Sequence, residues 1–111
     1  MDLVSIQHPG GITEVSLDGR LNMVTAARVR EAIHEAIVAN SPNVAVDLSR
    51  TSFLDSSGLG ALVWGFKAAR EAGGDLRLVS PTEQVKLVLD LTNMNSTLRS
   101  FDSLDEAYPR G

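Results

Sequence analysis

The chain has 111 residues, 43% hydrophobic and 22% charged, which is the make-up of one globular domain and not of a disordered segment. A net charge of −4 without a cluster of Lys or Arg argues against nucleic acid as a partner, because phosphate neutralisation needs clustered cations. There is no cysteine, which excludes disulfides and thiolate metal sites.

No run approaches the roughly 20 apolar residues of a membrane span, and Met1-Asp2-Leu3 lacks the basic start of a signal peptide. The expectation is a single cytoplasmic domain over 1–111. Residues 3–8 alternate weakly (Leu3, Val4, Ile6) and predict a short strand. His8-Pro9-Gly10-Gly11 is turn chemistry, and Ile12, Val15 and Leu17 predict a second strand that Gly19 ends. Thr25 is a candidate N-cap for a helix whose apolar stripe is Val29, Ile33, Ala36 and Ile37. Asn40-Ser41-Pro42 stops it. Val44 to Leu48 is a nearly continuous apolar run, the mark of a central strand covered on at least one face. A second helix is predicted from Ser57 to about Ala72, with Leu59, Leu62, Val63 and Phe66 as its core stripe and Gly73-Gly74 as its end. Leu76, Leu78 and Val79 form a fourth strand. Thr82 is a candidate cap for a third helix lined by Val85, Val88 and Leu89. Leu98 to Phe101 predicts an edge strand, and Ser103 can cap a short last helix through Tyr108.

The order is therefore β-β-α-β-α-β-α, then a further short strand and helix. That pattern is an α/β fold with a mixed sheet of four or five strands packed against helices. The initial hairpin is antiparallel and the crossovers are parallel. Nothing in the sequence calls for an oligomer, and the free protein is expected to be a monomer.

The stretch Phe53-Leu54-Asp55-Ser56-Ser57-Gly58-Leu59-Gly60 lies where a strand exit becomes a helix N-terminus. Asp and Ser are the residues that cap free N–H groups there. Two adjacent hydroxyls exceed what one cap needs. Gly58 and Gly60 in the first turn each cost about 1 kcal/mol against alanine, and small residues let another backbone come close. A phosphate on a serine here would add about −1.5 to −2 charges, which a helix N-terminus tolerates and a packed partner does not. A switchable hydroxyl fits the stretch, without a choice between Ser56 and Ser57.

Other readings of these residues fail on chemistry. A nucleophile elbow has Gly two residues on each side of Ser, but Leu54 stands two before Ser56. The two histidines are His8 in the predicted hairpin turn and His34 on a solvated helix side, neither placed as a base. Gly58-Leu59-Gly60 lacks the third glycine of a dinucleotide loop, and Val38 stands where a zinc-protease motif starting at His34-Glu35 needs its second His. No metal site and no cofactor are expected. Trp64 falls beside the core stripe with Gly60, Ala61 and Ala68 as its helical neighbours. It is expected to pack under the C-terminal helix or the sheet rim, the alternative being a partner-binding patch.

The string from Phe53 to Gly60 resembles the phosphorylation motif of the bacterial anti-sigma factor antagonists, which are STAS domains. Gly19-Arg20-Leu21-Asn22 followed by Thr25-Ala26 is similar to that family's segment before its first helix, and Gly73-Gly74-Asp75-Leu76 to its turn into the next strand. The resemblance covers essentially the whole chain. It implies a STAS-like fold and a regulatory binding protein, not an enzyme. It further implies partner switching: the antagonist binds an anti-sigma factor with serine-kinase activity, frees a sigma factor, and is released when the kinase phosphorylates it. A metal-dependent phosphatase of the PP2C type reverses the modification. By resemblance the acceptor is Ser56, with Ser57 its neighbour. The partner surface is then Asn22, Thr25, Asp55, Ser57, Gly58, Leu59, Gly60 and Trp64. Family members often carry Asp where Asn22 stands; Asn keeps the hydrogen-bonding shape and loses the charge. The alternative within the fold is a STAS subunit of a membrane lipid-transport complex that is never phosphorylated.

Overall fold

Val15 and Leu17, then Val44, Val46 and Leu48, then Leu76 and Leu78 recur at every second position, and a strand turns alternate residues to one face. All seven are buried in one apolar cluster with the helices. The computed structural model, which describes residues 1–109, arranges them as β1 (Asp2–His8), β2 (Ile12–Leu21), α1 (Ala26–Val38), β3 (Asn43–Leu54), α2 (Ser56–Glu71), β4 (Asp75–Val79), α3 (Glu83–Leu91), β5 (Ser100–Phe101) and α4 (Leu104–Ala107). The five strands lie in the order β1-β2-β3-β4-β5, antiparallel between β1 and β2 and parallel elsewhere.

Three helices cover one face. Val29 and Ile33 of α1, Ala61 and Leu62 of α2, and Val85 and Leu89 of α3 close the core over the strands. The other face carries a smaller cluster of Ile12, Ala45, Val79, Ala107 and Tyr108 beneath α4. The nearly continuous apolar run at Val44–Leu48, broken at Asp47, follows from this double cover: Val44, Val46 and Leu48 meet the helices while Ala45 meets Tyr108's cluster.

Several boundaries differ from the sequence reading. Gly19 does not end β2; with φ at +118° it marks an irregularity in the pairing to β3, and the strand continues to Leu21. β3 runs on through polar Ser49, Arg50, Thr51 and Ser52, because β2 offers ladder partners as far as Leu54 and the Thr51 hydroxyl donates to the Leu17 carbonyl at 2.9 Å. α2 begins at Ser56, one residue early, and its buried face is Gly58, Ala61, Leu62, Gly65 and Ala69. Leu59, Val63 and Phe66 only flank that face, half-buried. Small residues hold the centre because α1 and β4 come close: a Cβ on Gly65 would collide with Ile33. Thr82 does not cap α3 through its side chain; its hydroxyl donates to the Thr51 carbonyl at 2.8 Å. Ser103 does cap α4, accepting from the Glu106 N–H at 3.2 Å.

α4 is held by Tyr108. Its hydroxyl lies 2.8 Å from the Val44 carbonyl and 3.0 Å from that of Asp75, so one donor bridges β3 and β4. The Arg77 guanidinium sits over the ring at 4.5 Å and donates to the Ala107 carbonyl. Burial raises the phenol above its ordinary value. The folded state therefore disfavours the phenolate. The stabilisation is complete below about pH 10 and declines as pH rises past that unfolded value. Wild-type unfolding midpoints are expected to fall steeply above pH 10. Tyr108→Phe is expected to cost about 1 kcal/mol at neutral pH and to flatten the alkaline fall. Parallel alkaline slopes for the two proteins would assign the fall to another group.

Candidate functional site

The site is built where β2 and β3 end side by side. Leu21 and Leu54 are register partners, and the Asp55 N–H donates to the Leu21 carbonyl at 3.3 Å. Asp55 turns the chain into α2: its backbone is extended, and its Oδ1 accepts from the Gly58 N–H at 2.8 Å. This is the cap expected from the sequence. Gly58 is buried against the preceding loop. A Cβ there would meet the Leu21 carbonyl oxygen, with Leu21 Cγ at 2.8 Å and Leu54 Cδ1 at 2.9 Å. The backbone that this glycine admits is thus the chain's own. Gly60 differs, since a Cβ there would meet nothing within 4 Å.

β3 outruns β4 by seven residues, since their pairing stops at Asp47–Val79. The start of α3 fills the gap. The Gln84 side chain accepts from the Leu54 N–H at 3.0 Å, and the Thr82 hydroxyl takes the Thr51 carbonyl. The strand that delivers Ser56 is therefore fixed on both sides.

The turn before α1 is equally well held. Asn22 Oδ1 accepts from the N–H groups of Val24 at 3.0 Å and Thr25 at 3.3 Å. Its carbonyl accepts from Ala26 at 2.8 Å. Thr25 does not provide the expected cap: its hydroxyl accepts from the Asn22 N–H at 3.0 Å and donates to the Arg20 carbonyl at 2.8 Å. The reason is that β2 persists to Leu21, so the turn opens at Asn22, whose side chain mimics a backbone turn. Asn22 and Thr25 are committed to holding this loop. The residues that the loop displays are Met23 and Val24, 75% and 81% exposed. Sequence reasoning missed them. The available signal was two large apolar residues between turn-formers, outside any helical stripe.

Ser56 is exposed and Ser57 half-buried, at the first two positions of α2. Apart from the Asp55 cap, the first turn carries no acidic side chain, so the positive end of a sixteen-residue helix lies beside both hydroxyls. Ser57, Gly60, Ala61 and Trp64 follow at i, i+3, i+4 and i+7 along one side of α2. Trp64 is 41% exposed. It does not pack under the C-terminal helix, because α4 lies on the opposite face of the sheet. Leu59 packs against the main core.

The structure thus brings Asn22, Thr25, Asp55, Ser56, Ser57 and Gly58 to one sheet end, with Gly60 and Trp64 leading away along α2. Gly58, Leu59 and Thr25 shape the surface from beneath. Asp55, Ser56, Ser57, Gly60 and Trp64 form it, together with Met23 and Val24. No base for a serine nucleophile is assembled here. His8 bonds Glu14 at 3.0 Å at the hairpin, nine strand steps or about 30 Å along β2 from Leu21. His34 is exposed on α1.

Comparison with known proteins shows the family of the chain. The STAS domain model matches residues 4–107. The chain belongs to the STAS domain family. This STAS domain is 27% identical over 101 residues to an anti-sigma F factor antagonist of Paenibacillus polymyxa, covering 90% of this chain and 86% of that one. The crystal structure of an anti-sigma factor antagonist from Mycobacterium paratuberculosis matches 96% of this chain and 89% of its own, with a TM-score of 0.82 and 27% identity. The anti-sigma factor antagonist SpoIIAA in its unphosphorylated form shares the fold, with a TM-score of 0.81 over 96% of this chain and 92% of its own, at 20% identity. Among the described residues of this STAS domain, no helix is long and apolar enough to cross a membrane.

Proposed function

We propose that this STAS domain is an anti-sigma factor antagonist, switched by phosphate on Ser56. It binds an anti-sigma factor that is also a serine kinase, and so regulates transcription by freeing a sigma factor. The kinase modifies Ser56 and is released; a PP2C-type phosphatase restores the hydroxyl. The domain itself is a substrate, not a catalyst. The observation that carries this reading is the exposed Ser56 hydroxyl at the first position of α2, capped independently by Asp55. Because Asp55 satisfies the Gly58 N–H, the fold does not need the Ser56 hydroxyl, which is available for chemistry. Relatives named as anti-sigma factor antagonists support the partner class.

Two adjacent serines leave one geometric choice. Ser57 is half-buried and Ser56 exposed, and a kinase must enclose the acceptor hydroxyl with its nucleotide. Exposure favours Ser56. The test is intact mass with fragmentation after incubation with ATP and the anti-sigma kinase of the host. One added phosphate on Ser56 is the expected result. Phosphate on Ser57 alone would move the switch by one residue, and no phosphate despite a stable complex would leave a binding-only antagonist.

The partner contact is chiefly apolar on this reading. Met23 and Val24 project from a loop held by the Asn22 and Thr25 side chains, and Trp64 adds an aromatic on α2. Met and aromatic side chains are enriched at interfaces, and a rigid frame lowers the ordering cost of binding. Met23→Ser with Val24→Ser is expected to weaken the complex about tenfold or more, without a change in the unfolding midpoint. Unchanged affinity, read by calorimetry, would exclude this loop from the interface.

A further inference from the structure

The two edges of the sheet are unlike. β5 is two residues long, which is one way in which proteins blunt an edge. β1 is seven residues long, pairs with β2 in unbroken register from Asp2–Asp18 to His8–Ile12, and contains no Lys, Pro, Gly or bulge. Among the described residues, no strand lies against its other long side. Leu3 and Ser5 share the face of Leu17 and Val15, towards the helices. Asp2, Val4, Ile6 and His8 share the open face, where Val4 is 54% and Ile6 46% exposed.

That sequence complements its own reverse. An antiparallel pair of β1 strands related by a two-fold axis through Ser5 sets Val4 opposite Ile6 of the second copy. It sets Leu3 opposite Gln7, and Asp2 opposite His8. Aliphatic side chains then meet aliphatic side chains at the centre, and at each end Asp2 stands opposite the His8–Glu14 pair. Moving the axis to Val4 would set Asp2 against Ile6. Moving it to Ile6 would leave Asp2 and Leu3 without partners. Only the register centred on Ser5 gives all seven residues of β1 a partner.

We propose that β1 is a self-association edge, on which a second copy of this chain pairs antiparallel, centred on Ser5, to form a continuous ten-stranded sheet. The contact is closed by its two-fold axis, and the remaining edges are the two-residue β5 strands, so assembly stops at the dimer. The free protein is then in monomer–dimer equilibrium, in place of the monomer expected from the sequence. Because β2 reverses direction between the copies, the two Ser56 surfaces lie at opposite ends of the joint sheet and both stay open.

The absence of cysteine permits a direct test. Under mild oxidation of the full chain, Ser5→Cys is expected to form a disulfide-linked dimer at least about tenfold faster than Gln7→Cys. In this register, two thiols at position 7 stand four residues apart, about 13 Å and beyond disulfide reach. Sedimentation of the wild type should show dimer increasing with concentration. Val4→Lys and Ile6→Lys, both at exposed positions, should shift that equilibrium about tenfold towards monomer with unfolding midpoints retained. Equal cross-linking at positions 5 and 7, or a wild type that stays monomeric at the highest soluble concentration, would overturn the proposal.

Discussion

Ser56→Asp is expected to lower affinity for the anti-sigma partner about a hundredfold, while Ser56→Ala binds constitutively at close to wild-type affinity. The asymmetry follows from where the charge would lie. In the free protein a carboxylate at the first position of α2 faces the positive end of the helix and gains about 0.3–1 kcal/mol. In the complex it would be stripped of water beside Asp55, with the nearby Arg20 guanidinium stacked on the Phe53 ring. The cost is several kcal/mol, against about 2.7 kcal/mol for a hundredfold change. Unfolding midpoints should therefore stay level or rise while binding is lost. A phosphate, with nearly twice the charge, should exceed the aspartate in both respects. Equal affinity of Ser56→Ala and Ser56→Asp by calorimetry would remove the switch from Ser56.

Gly58→Ala and Gly60→Ala, two residues apart on the same helical turn, are expected to have opposite signs. At Gly58 the added methyl meets the Leu21 carbonyl and the Leu21 and Leu54 side chains. A backbone carbonyl held by the Asp55 N–H cannot swing aside, so α2 must lift from the β2 exit. Overpacking of this kind costs about 1–3 kcal/mol, and the upper half of that range is expected here. At Gly60 the methyl enters open space, and the helix gains up to about 1 kcal/mol from alanine's propensity. Urea unfolding of the two variants reads both signs. A neutral Gly58→Ala would mean that the loop and α2 are not in the close contact described. If Gly60→Ala is more stable yet binds the anti-sigma partner less well, Gly60 faces that partner.

The two glycines show what the sequence carried and what it did not. Their cost in a first helical turn signalled a close approach, but not that the approaching backbone was internal at one and absent at the other. That depends on how far β2 runs, and Gly19 read as a stop because a bulge and a terminus share the same residue. The element order along the chain and a polar cap within Asp55-Ser56-Ser57 were legible because apolar periodicity and capping chemistry are local. Thr25 and Thr82 take the N-cap positions expected of them but give no side-chain cap, for the converse reason. A threonine before a helix can turn its hydroxyl back to a strand carbonyl, and only the tertiary position of Arg20 or Thr51 decides it. Met23 and Val24 escaped notice because a sequence shows apolar residues without showing that Asn22 and Thr25 turn inward to hold the loop and leave them outside. Of the two positions expected for Trp64, the one under the C-terminal helix fails because the side of the sheet taken by α4 depends on the chain's final crossing, which no periodicity records.

The overhang of β3 beyond β4 has a kinetic consequence. Its end is pinned by Gln84 and Thr82 on one flank and by Leu21 on the other, so the residue that follows is presented by a frame with no slack. A group attached to Ser56 would then be read as a change of surface and not of shape. Nothing has to refold when it arrives or leaves. Such a device keeps no memory: its state is whatever the last enzyme left on one oxygen atom, and it answers at the speed of the chemistry.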